Sequence, residues 1–408
     1  MRILFLQKRP LFPANTGGKI RTLNVLRHLA RWHEITYLCN LQDDEQRYVE
    51  PMRELGLRVD TVPWRETRRY SLRFYLELAG NLFSPYPYNV AKDSDKRLRE
   101  RARQLLEEQP YDLIICDFVQ MARNCIGLAQ IPKILFQHNV EAQIFARHAR
   151  HDKGFLRRRL MASQYRKMYR FEGAAGRKFD TVVAVSQIDA RRFREDYGWR
   201  HVRTIDTAVD TDYFAPSEAH ESPGRVVFVG SMDWLPNQDG VQDFVAHAWP
   251  RIRAAVPEAE FRIVGRDPTA EVRRLELEPG VIVEGTVPDI RPHVAAAEVC
   301  VVPLRIGGGT RLKIYEAMAM AKAVVSTSVG AEGLPLQSGE HLVIADGAEA
   351  MAAAVVQLLK SSDERRRLGV GARALVEEKF SAEKVARQFD DICRDTVAGY
   401  KQTCVAAT

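Results

Sequence analysis

Short apolar runs alternate with segments of helical periodicity along most of the chain. RILFLQ (2–7) precedes a loop rich in proline and glycine, after which Ile20, Leu23, Leu26 and Leu29 recur at helical spacing. This alternation is typical of strand–helix–strand units built around a parallel sheet. In the first half of the chain, the apolar runs predict strands over 2–7, 33–39, 57–63, 111–117, 133–139 and 179–186.

A second set of apolar runs follows a polar stretch that contains proline and glycine. These runs predict strands over 225–232, 259–265, 281–287, 299–304 and 323–330. The pattern therefore predicts an α/β protein with two doubly wound, Rossmann-like domains, 1–200 and 223–380, facing each other across a cleft. We expect 201–222 to be the hinge, and we expect ligands outside the carboxyl ends of the strands.

Composition and charge narrow the function classes. The 408 residues carry a formal net charge of +7, and six cysteines are scattered without a CxxC pair, which favours reduced thiols over a disulfide framework or a zinc site. The apolar runs are too short to span a membrane, and the N-terminus reads as a first strand and not as a signal peptide.

Positive charge is concentrated in two stretches, 64–75 and 147–170, and the second holds nine Lys or Arg against one Asp. They form either a solvated helix face or a surface that attracts an anionic membrane or ligand. Nucleic acid is a weaker interpretation, because no DNA- or RNA-binding module accompanies these stretches, and we expect none to bind.

The segment GGGTRLKIYE (307–316) follows the predicted strand 299–304, so it lies at a carboxyl end. Glycines allow a close approach of the backbone to an anion, and Thr310 is a plausible N-cap of the next helix. Arg311 and Lys313 oppose the helix dipole in its first turn, which an anionic ligand such as a diphosphate would explain. The carboxylate of Glu316 could accept two hydroxyl groups, as in a ribose.

PLRIGGGTRLKIYEAMAMAKAVVSTSVGAEGL resembles the donor-site segment of retaining GT-B glycosyltransferases of the family 4 type, in particular those of exopolysaccharide and cell-surface glycan assembly. The resemblance extends along the chain through PANTGGKIRTLNVLRHLA, ILFQHNVEA, VVFVGSMDWLPNQDGV, FRIVGRDP and VEGTVPDI. It implies the GT-B fold, and a final helix in 381–408 that packs back on the first domain.

The resemblance also implies roles for individual residues. Arg311 and Lys313, with the glycine run, would hold the donor diphosphate, and Glu316 would hold the ribose. His138 would contact the sugar near the reacting carbon. The remaining donor residues implied are Gly17, Gly18, Gly230, Ser231, Gly265, Arg266, Val287, Gly307, Gly308, Gly309 and Thr310.

The chain departs from the family pattern at several positions. Gly308 occupies the place of a frequent first glutamate, and Ala321 that of a customary glycine. An Arg and Lys pair common early in the second domain is missing from GSMDWLPNQ, which shifts the phosphate contacts to Arg311 and Lys313. Two DxD triplets, 93–95 and 210–212, lie at no convincing strand end, and we expect no essential metal.

The resemblance implies transfer of a sugar from a UDP- or GDP-linked nucleotide-diphosphate sugar to an acceptor hydroxyl, with retained configuration and no further cofactor. The acceptor would be a glycan or lipid-linked precursor, and the protein cytoplasmic, peripheral at the inner membrane face through 64–75 and 147–170. The alternatives are a nucleotide-sugar epimerase of the same fold and a non-catalytic sugar-nucleotide-binding subunit.

Overall fold

The computed structural model describes residues 1–68, 70–151, 154–217, 220–306 and 312–406, apart from the side chains of 151 and 403–406. The chain divides into two compact units. The first comprises Met1–Asp206 together with the chain from Ala386 onward, and the second comprises Thr207–Val385.

The first unit is built around a seven-stranded parallel sheet. Its strands are β1 (Arg2–Gln7), β2 (Glu34–Leu41), β3 (Arg58–Pro63), β4 (Leu113–Asp117), β5 (Lys133–Gln137), β6 (Thr181–Ala184) and β7 (Val202–Thr204). The strand order is β3-β2-β1-β4-β5-β6-β7, so the direction of winding reverses between β1 and β4. Loops that leave the carboxyl ends of β1 and β4 diverge at such a reversal and leave room for a ligand.

Helices cover this sheet, and their apolar positions form its core with the strands. They are α1 (Gly17–Trp32), α2 (Val49–Glu54), α3 (Leu72–Asn81), α4 (Tyr88–Asp93), α5 (Lys96–Glu108), α6 (Ala122–Cys125), α7 (Glu141–His151), α8 (Phe155–Gly176) and α9 (Gln187–Tyr197). In α1, Leu23, Leu26 and Leu29 are buried, as their helical spacing predicts.

The second unit contains a six-stranded parallel sheet. Its strands are β8 (Arg225–Val229), β9 (Glu260–Val264), β10 (Val281–Gly285), β11 (Val299–Val302), β12 (Ala323–Ser326) and β13 (Val343–Ile344). The order β10-β9-β8-β11-β12-β13 reverses between β8 and β11. The loops after these two strands are therefore the ones that can border a ligand.

The helices of the second unit are α10 (Leu235–Asp243), α11 (Trp249–Ala255), α12 (Ala270–Arg273), α13 (Arg291–Ala295), α14 (Leu312–Ala319), α15 (Ala348–Lys360) and α16 (Ser362–Leu375). Two π-helical turns, Phe244–Ala248 and Val376–Phe380, continue α10 and α16. Across the described part of the chain, no helix is both long and apolar enough to cross a bilayer.

The last helix, α17 (Ala382–Ala406), begins in the second unit and packs on the sheet of the first. The ring of Phe389 is fully buried, with its centroid 4.9 Å from that of Phe136 in β5. The hydroxyls of Thr396 and Thr181 lie 2.8 Å apart. These contacts explain why residues from both ends of the chain form one core.

Every strand predicted from the apolar runs is present, with ends that differ by a few residues. The prediction missed β7 and β13, because three and two residues are too short to show an alternating pattern. β7 lies inside 201–222, the stretch predicted to be only a hinge.

Ala321 has a left-handed backbone (φ 55°) in the turn between α14 and β12. This is the position at which the resemblance leads one to expect glycine. Gly369 of α16 packs so closely on this turn that an added Cβ would lie 2.0 Å from the carbonyl oxygen of Ala321. The turn is therefore held in a conformation that costs an alanine roughly 1–2 kcal/mol.

We expect Ala321→Gly to raise the free energy of unfolding by about 0.5–1 kcal/mol, because the relief of strain exceeds the larger entropy that glycine gives the unfolded chain. Urea titration would measure it. Ala323→Gly, in β12, serves as the control and should lower the stability, since the buried Ala323 gains nothing from glycine. Equal losses in both variants would show that the turn is not strained.

Candidate functional site

The loop after β8 forms one wall of the candidate site in the second unit. An added Cβ at Gly230 would lie 2.7 Å from Nδ2 of Asn237 and 2.7 Å from Nζ of Lys313. Because both atoms lie at the ends of side chains, a larger residue at Gly230 would displace the amide of Asn237 and the ammonium of Lys313. The predicted residues Gly230 and Lys313 are thus brought into direct proximity.

Lys313 lies in the first turn of α14, and its Nζ donates a hydrogen bond to Oδ1 of Asn237 at 2.8 Å. The same ammonium lies 4.2 Å from the centroid of the Phe228 ring. Nδ2 of Asn237 in turn donates to the carbonyl oxygen of Ser231 at 2.8 Å. The cation predicted to hold a phosphate is therefore anchored to the loop after β8.

Five predicted residues, Gly307, Gly308, Gly309, Thr310 and Arg311, lie outside the described residues. Their roles stay predictions.

Glu316 lies one turn after Lys313 on α14 and is half-buried. Burial raises the pKa of its carboxyl group to about 7, and the charge of Lys313 opposes this rise. Among the described residues, none donates a hydrogen bond to this carboxylate. An acceptor of this kind is suited to a ligand that brings its own hydroxyl donors.

Gly265 and Arg266, at the end of β9, meet the loop after β8. An added Cβ at Gly265 would lie 1.7 Å from the carbonyl oxygen of Gly230, so the two strand ends touch. Nε of Arg266 donates to Oγ of Ser231 at 2.7 Å, and Ser231 donates to Asp233 at 2.5 Å. Predicted neighbours of a nucleobase and of the phosphates are therefore hydrogen-bonded to each other.

Val287, the third predicted neighbour of the nucleobase, follows β10 by two residues. It is half-buried and packs against the apolar core of the second unit. The structure thus places it at the carboxyl edge of the same sheet.

In the first unit, polar side chains gather at the carboxyl ends of β1, β4 and β5. Asp117 is fully buried, and its carboxylate accepts hydrogen bonds from Gln7 (2.5 Å), Thr22 (2.9 Å) and His138 (2.6 Å). His138 is also buried and stacks on the ring of Phe118, with centroids 4.3 Å apart. This cluster lies where the reversal of strand order predicts a ligand site.

The hydrogen bonds of His138 define its protonation. Nη1 of Arg21 lies 3.1 Å from Nδ1 of His138, and a guanidinium group only donates, so Nδ1 carries no proton. Nε2 then carries the hydrogen that is donated to Asp117. Burial lowers the pKa of His138, and Arg21 adds to this, while Asp117 opposes it. Both ring nitrogens are engaged by the protein, and the predicted contact with a sugar stays a prediction.

Gly17 and Gly18 begin α1, capped by the side chain of Thr16. An added Cβ at Gly18 would lie 2.5 Å from Cζ of Phe118, the residue that also stacks on His138. Phe118 itself has a positive φ (68°), an unusual conformation for a phenylalanine. The glycine loop is therefore pressed against the Asp117–His138 cluster.

Sequence reasoning missed Arg21, Asp117 and Asn237. Asp117 ends an apolar strand, a position that alone could have singled it out. Arg21 and Asn237 lie within helices at polar positions that would otherwise face solvent, and no local pattern distinguishes them.

Both DxD triplets are used locally. Asp93 pairs with Lys8 at 2.9 Å, and Asp95 caps α5 by accepting from the backbone of Arg97. Asp210 accepts from the backbone nitrogen atoms of Asp212 and Tyr213 at 3.2 and 2.9 Å. These hydrogen bonds explain the triplets as capping and turn residues.

Two family models match the chain. The first, described as Glycosyltransferase Family 4, matches residues 16–213, and the second, described as Glycosyl transferases group 1, matches residues 223–361. The two matches correspond to the two units of the structure.

Among similar proteins, an uncharacterized 44.6 kDa protein in the cps region of Klebsiella pneumoniae is 22% identical over 400 residues, 92% of this chain and 95% of the relative. A phosphatidyl-myo-inositol mannosyltransferase of Mycolicibacterium smegmatis is 32% identical over 202 residues, 47% of this chain. The chain spans 51% of that relative's length.

Two solved structures share the fold of the whole chain. Sucrose-phosphate synthase of Thermosynechococcus elongatus has a TM-score of 0.70 at 19% identity, covering 98% of this chain and all of that one. HepE of Anabaena, in complex with UDP, has a TM-score of 0.66 at 14% identity, covering 97% and 100%.

The raised pKa of Glu316 makes stability depend on pH. Between pH 4.5 and about 7 the unfolded chain releases the proton that the folded chain retains, so stability falls as the pH rises. Above pH 7, we expect Glu316→Gln to unfold with a free energy roughly 1–3 kcal/mol above that of the wild type.

Urea titrations along a pH series would measure this difference, which should shrink toward pH 4.5. Glu278→Gln, at an exposed position of the same unit, is the matched control for the loss of one carboxylate. A difference that stays constant with pH would exclude a buried ionisation at Glu316.

Proposed function

Because the chain is a glycosyltransferase of the GT-B fold, we propose that it moves a sugar from a nucleotide-diphosphate sugar to an acceptor hydroxyl with retained configuration and without an essential metal. The observation that carries this proposal is the group formed by Lys313, Gly230 and Glu316. An anchored ammonium, the glycine loop next to it and a carboxylate that accepts no hydrogen bond from the described residues lie together at one sheet edge. They suit a diphosphate joined to a ribose.

The donor is bound in the second unit. The diphosphate lies against Lys313 and the loop at Gly230 and Ser231, and Glu316 accepts hydrogen bonds from the ribose hydroxyls. Gly265, Arg266 and Val287 border the nucleobase. The names of relatives support donors of this class: one is a GDP-mannose-dependent mannosyltransferase of Mycolicibacterium smegmatis, and HepE of Anabaena has a structure with UDP-glucose.

The reaction breaks the bond between the anomeric carbon and the diphosphate oxygen and forms one from the same carbon to the acceptor oxygen. The nucleoside diphosphate leaves with the bonding electrons, and its negative charge grows beside Lys313. Such preorganised charge is commonly the largest single source of catalysis. The departing phosphate oxygen takes the acceptor proton on the same face, which retains the configuration and needs no enzymic base.

At the first sheet, we assign His138 to the neighbourhood of the transferred sugar, with Gly17 and Gly18 on the adjacent loop. Arg21 and Asp117 keep its ring neutral, with the proton on Nε2. A neutral ring next to the reacting carbon would not repel the positive charge that develops there.

The acceptor is proposed to be a lipid-linked or cell-surface glycan precursor. The names of two relatives describe phosphatidylinositol monomannoside mannosyltransferases. In the first unit a groove of about 410 Å³ lies beside α3, near the carboxyl end of β3. Its lining includes the aromatic rings and charges that suit a phosphorylated glycan: Trp64, Tyr88, Arg65, Arg73, Lys92 and Glu77.

Exposed apolar side chains support attachment of the first unit to an anionic membrane. Phe83 is 93% exposed and Leu156 is 81% exposed. The turn that holds Phe83 is bound to α8, because Nζ of Lys167 donates to the carbonyl oxygen of Asn81 at 2.5 Å. Exposed arginines accompany these residues, at positions 65, 68, 73, 157, 158 and 159.

Replacement of the anchored cation tests the proposed reaction. We expect Lys313→Met to lower kcat about 100-fold, because the leaving diphosphate loses a preorganised positive charge. Lys360→Met removes an exposed lysine of the same unit and should leave turnover unchanged. Turnover would be measured as the release of UDP or GDP from sugar nucleotides with a glycan acceptor present. Proton NMR of the anomeric centre would give the configuration of the product.

The outcome of that assay separates the alternatives. Conversion of the donor without any acceptor would indicate an epimerase. Donor binding that never leads to nucleotide release would indicate a non-catalytic binding subunit, and inversion at the anomeric carbon would exclude the retaining route.

The membrane surface has its own test. The double variant Phe83→Ser, Leu156→Ser should bind anionic phosphatidylglycerol vesicles at least tenfold more weakly, since burial of each side chain contributes about 1.5–3 kcal/mol. Leu277→Ser, at an 83% exposed leucine of the second unit, is the matched control. Vesicle flotation that shows no preference for anionic over zwitterionic lipid would contradict this part of the proposal.

A further inference from the structure

Asn237 uses both ends of its side-chain amide inside the candidate site. It is 2% exposed, and Oδ1 accepts from Nζ of Lys313 while Nδ2 donates to the carbonyl oxygen of Ser231, each at 2.8 Å. A carboxylate of the same size could accept from the lysine but could not donate to the carbonyl. The position therefore requires an amide and not merely a polar residue.

The loop after β8 has supports other than Asn237. The backbone nitrogen of Gly230 donates to Val264 at 2.9 Å, and that of Met232 donates to Arg266 at 2.8 Å. Nε2 of Gln238, the next residue on α10, donates to the carbonyl oxygen of Met232 at 2.7 Å. Loss of Asn237 should therefore disturb the orientation of Lys313 more than the course of the loop.

A lysine side chain loses up to about 2 kcal/mol of rotamer entropy when it is held in one orientation. Here Asn237 and the ring of Phe228 hold the ammonium of Lys313 in the protein itself. A ligand that meets an already oriented cation does not have to supply this ordering.

We propose that Asn237 is a positioning residue, which holds the ammonium of Lys313 against the loop at Gly230 and Ser231 so that a diphosphate meets both together. This inference rests on the proposed function, since it takes the diphosphate as the ligand. It adds that Asn237 contributes to recognition of the diphosphate through Lys313. This contribution does not depend on the base or on the sugar.

Inorganic pyrophosphate is the probe, because it lacks both base and sugar. Isothermal titration in a chelator-containing buffer would compare the wild type with Asn237→Ala, Lys313→Met and the double variant. We expect Asn237→Ala to weaken binding about tenfold, the effect of losing a hydrogen bond to a charged group. In the double variant the loss should equal that of Lys313→Met alone, because Asn237 acts through the lysine.

Gln238→Ala is the matched control. It removes a side-chain hydrogen bond from the same helix to the same loop, at the carbonyl oxygen of Met232, and should leave pyrophosphate affinity unchanged. If Asn237→Ala does not fold, Asn237→Asp preserves the side-chain volume. It should weaken binding at least as much, because its negative charge neutralises the ammonium.

Two results would overturn the inference alone. The first is pyrophosphate binding that depends on Lys313 but is unchanged in both Asn237 variants. The second is an equal loss of pyrophosphate affinity from Asn237→Ala in the wild type and in Lys313→Met. A wild type that binds neither pyrophosphate nor a sugar nucleotide would overturn the proposed function and this inference together. Pyrophosphate binding with the expected coupling, in a protein that transfers no sugar, would support the inference and contradict the transferase proposal.

Discussion

The close approach of two strand ends in the second sheet is the constraint on which the candidate donor site depends. The carbonyl oxygen of Gly230 occupies the space that any side chain at Gly265 would need, and an added Cβ at Gly230 would displace the side chains of Asn237 and Lys313. Because these contacts are steric, the sheet itself determines the position of the loop. The ammonium of Lys313, the loop after β8 and the carboxylate of Glu316 therefore lie at the same edge of the second sheet.

The two units differ in how they accommodate a buried carboxyl group. In the first, the carboxylate of Asp117 accepts hydrogen bonds from Gln7, Thr22 and His138, so donors within the protein offset the cost of burying its charge. In the second, the carboxyl of Glu316 has a pKa raised to about 7 by burial and lacks such donors among the described residues. The first arrangement is typical of a rigid support, and the second of a group that gains from ligand binding.

The sequence predicts most of the strands and the loops that follow them because apolar runs and loop glycines are local signals. Lys313, Glu316 and Gly230 were identified in this way, through their positions after strands and their resemblance to a family segment. Asn237 and Arg21 could not be, because their importance arises from partners 76 and 117 residues away. Residues of this kind become visible only when the fold brings distant segments together, and the same applies to the short strands β7 and β13.

The final helix has a consequence for biosynthesis. The first unit needs residues from Ala386 onward to cover Phe136 and Thr181, whereas the second is continuous from Thr207 to Val385. On the ribosome, the domain that begins first is therefore completed last, after the intervening domain has been synthesised in full. Until then, the part of the first sheet that α17 covers stays exposed. The nascent chain then needs chaperones or rapid docking of α17 to avoid aggregation.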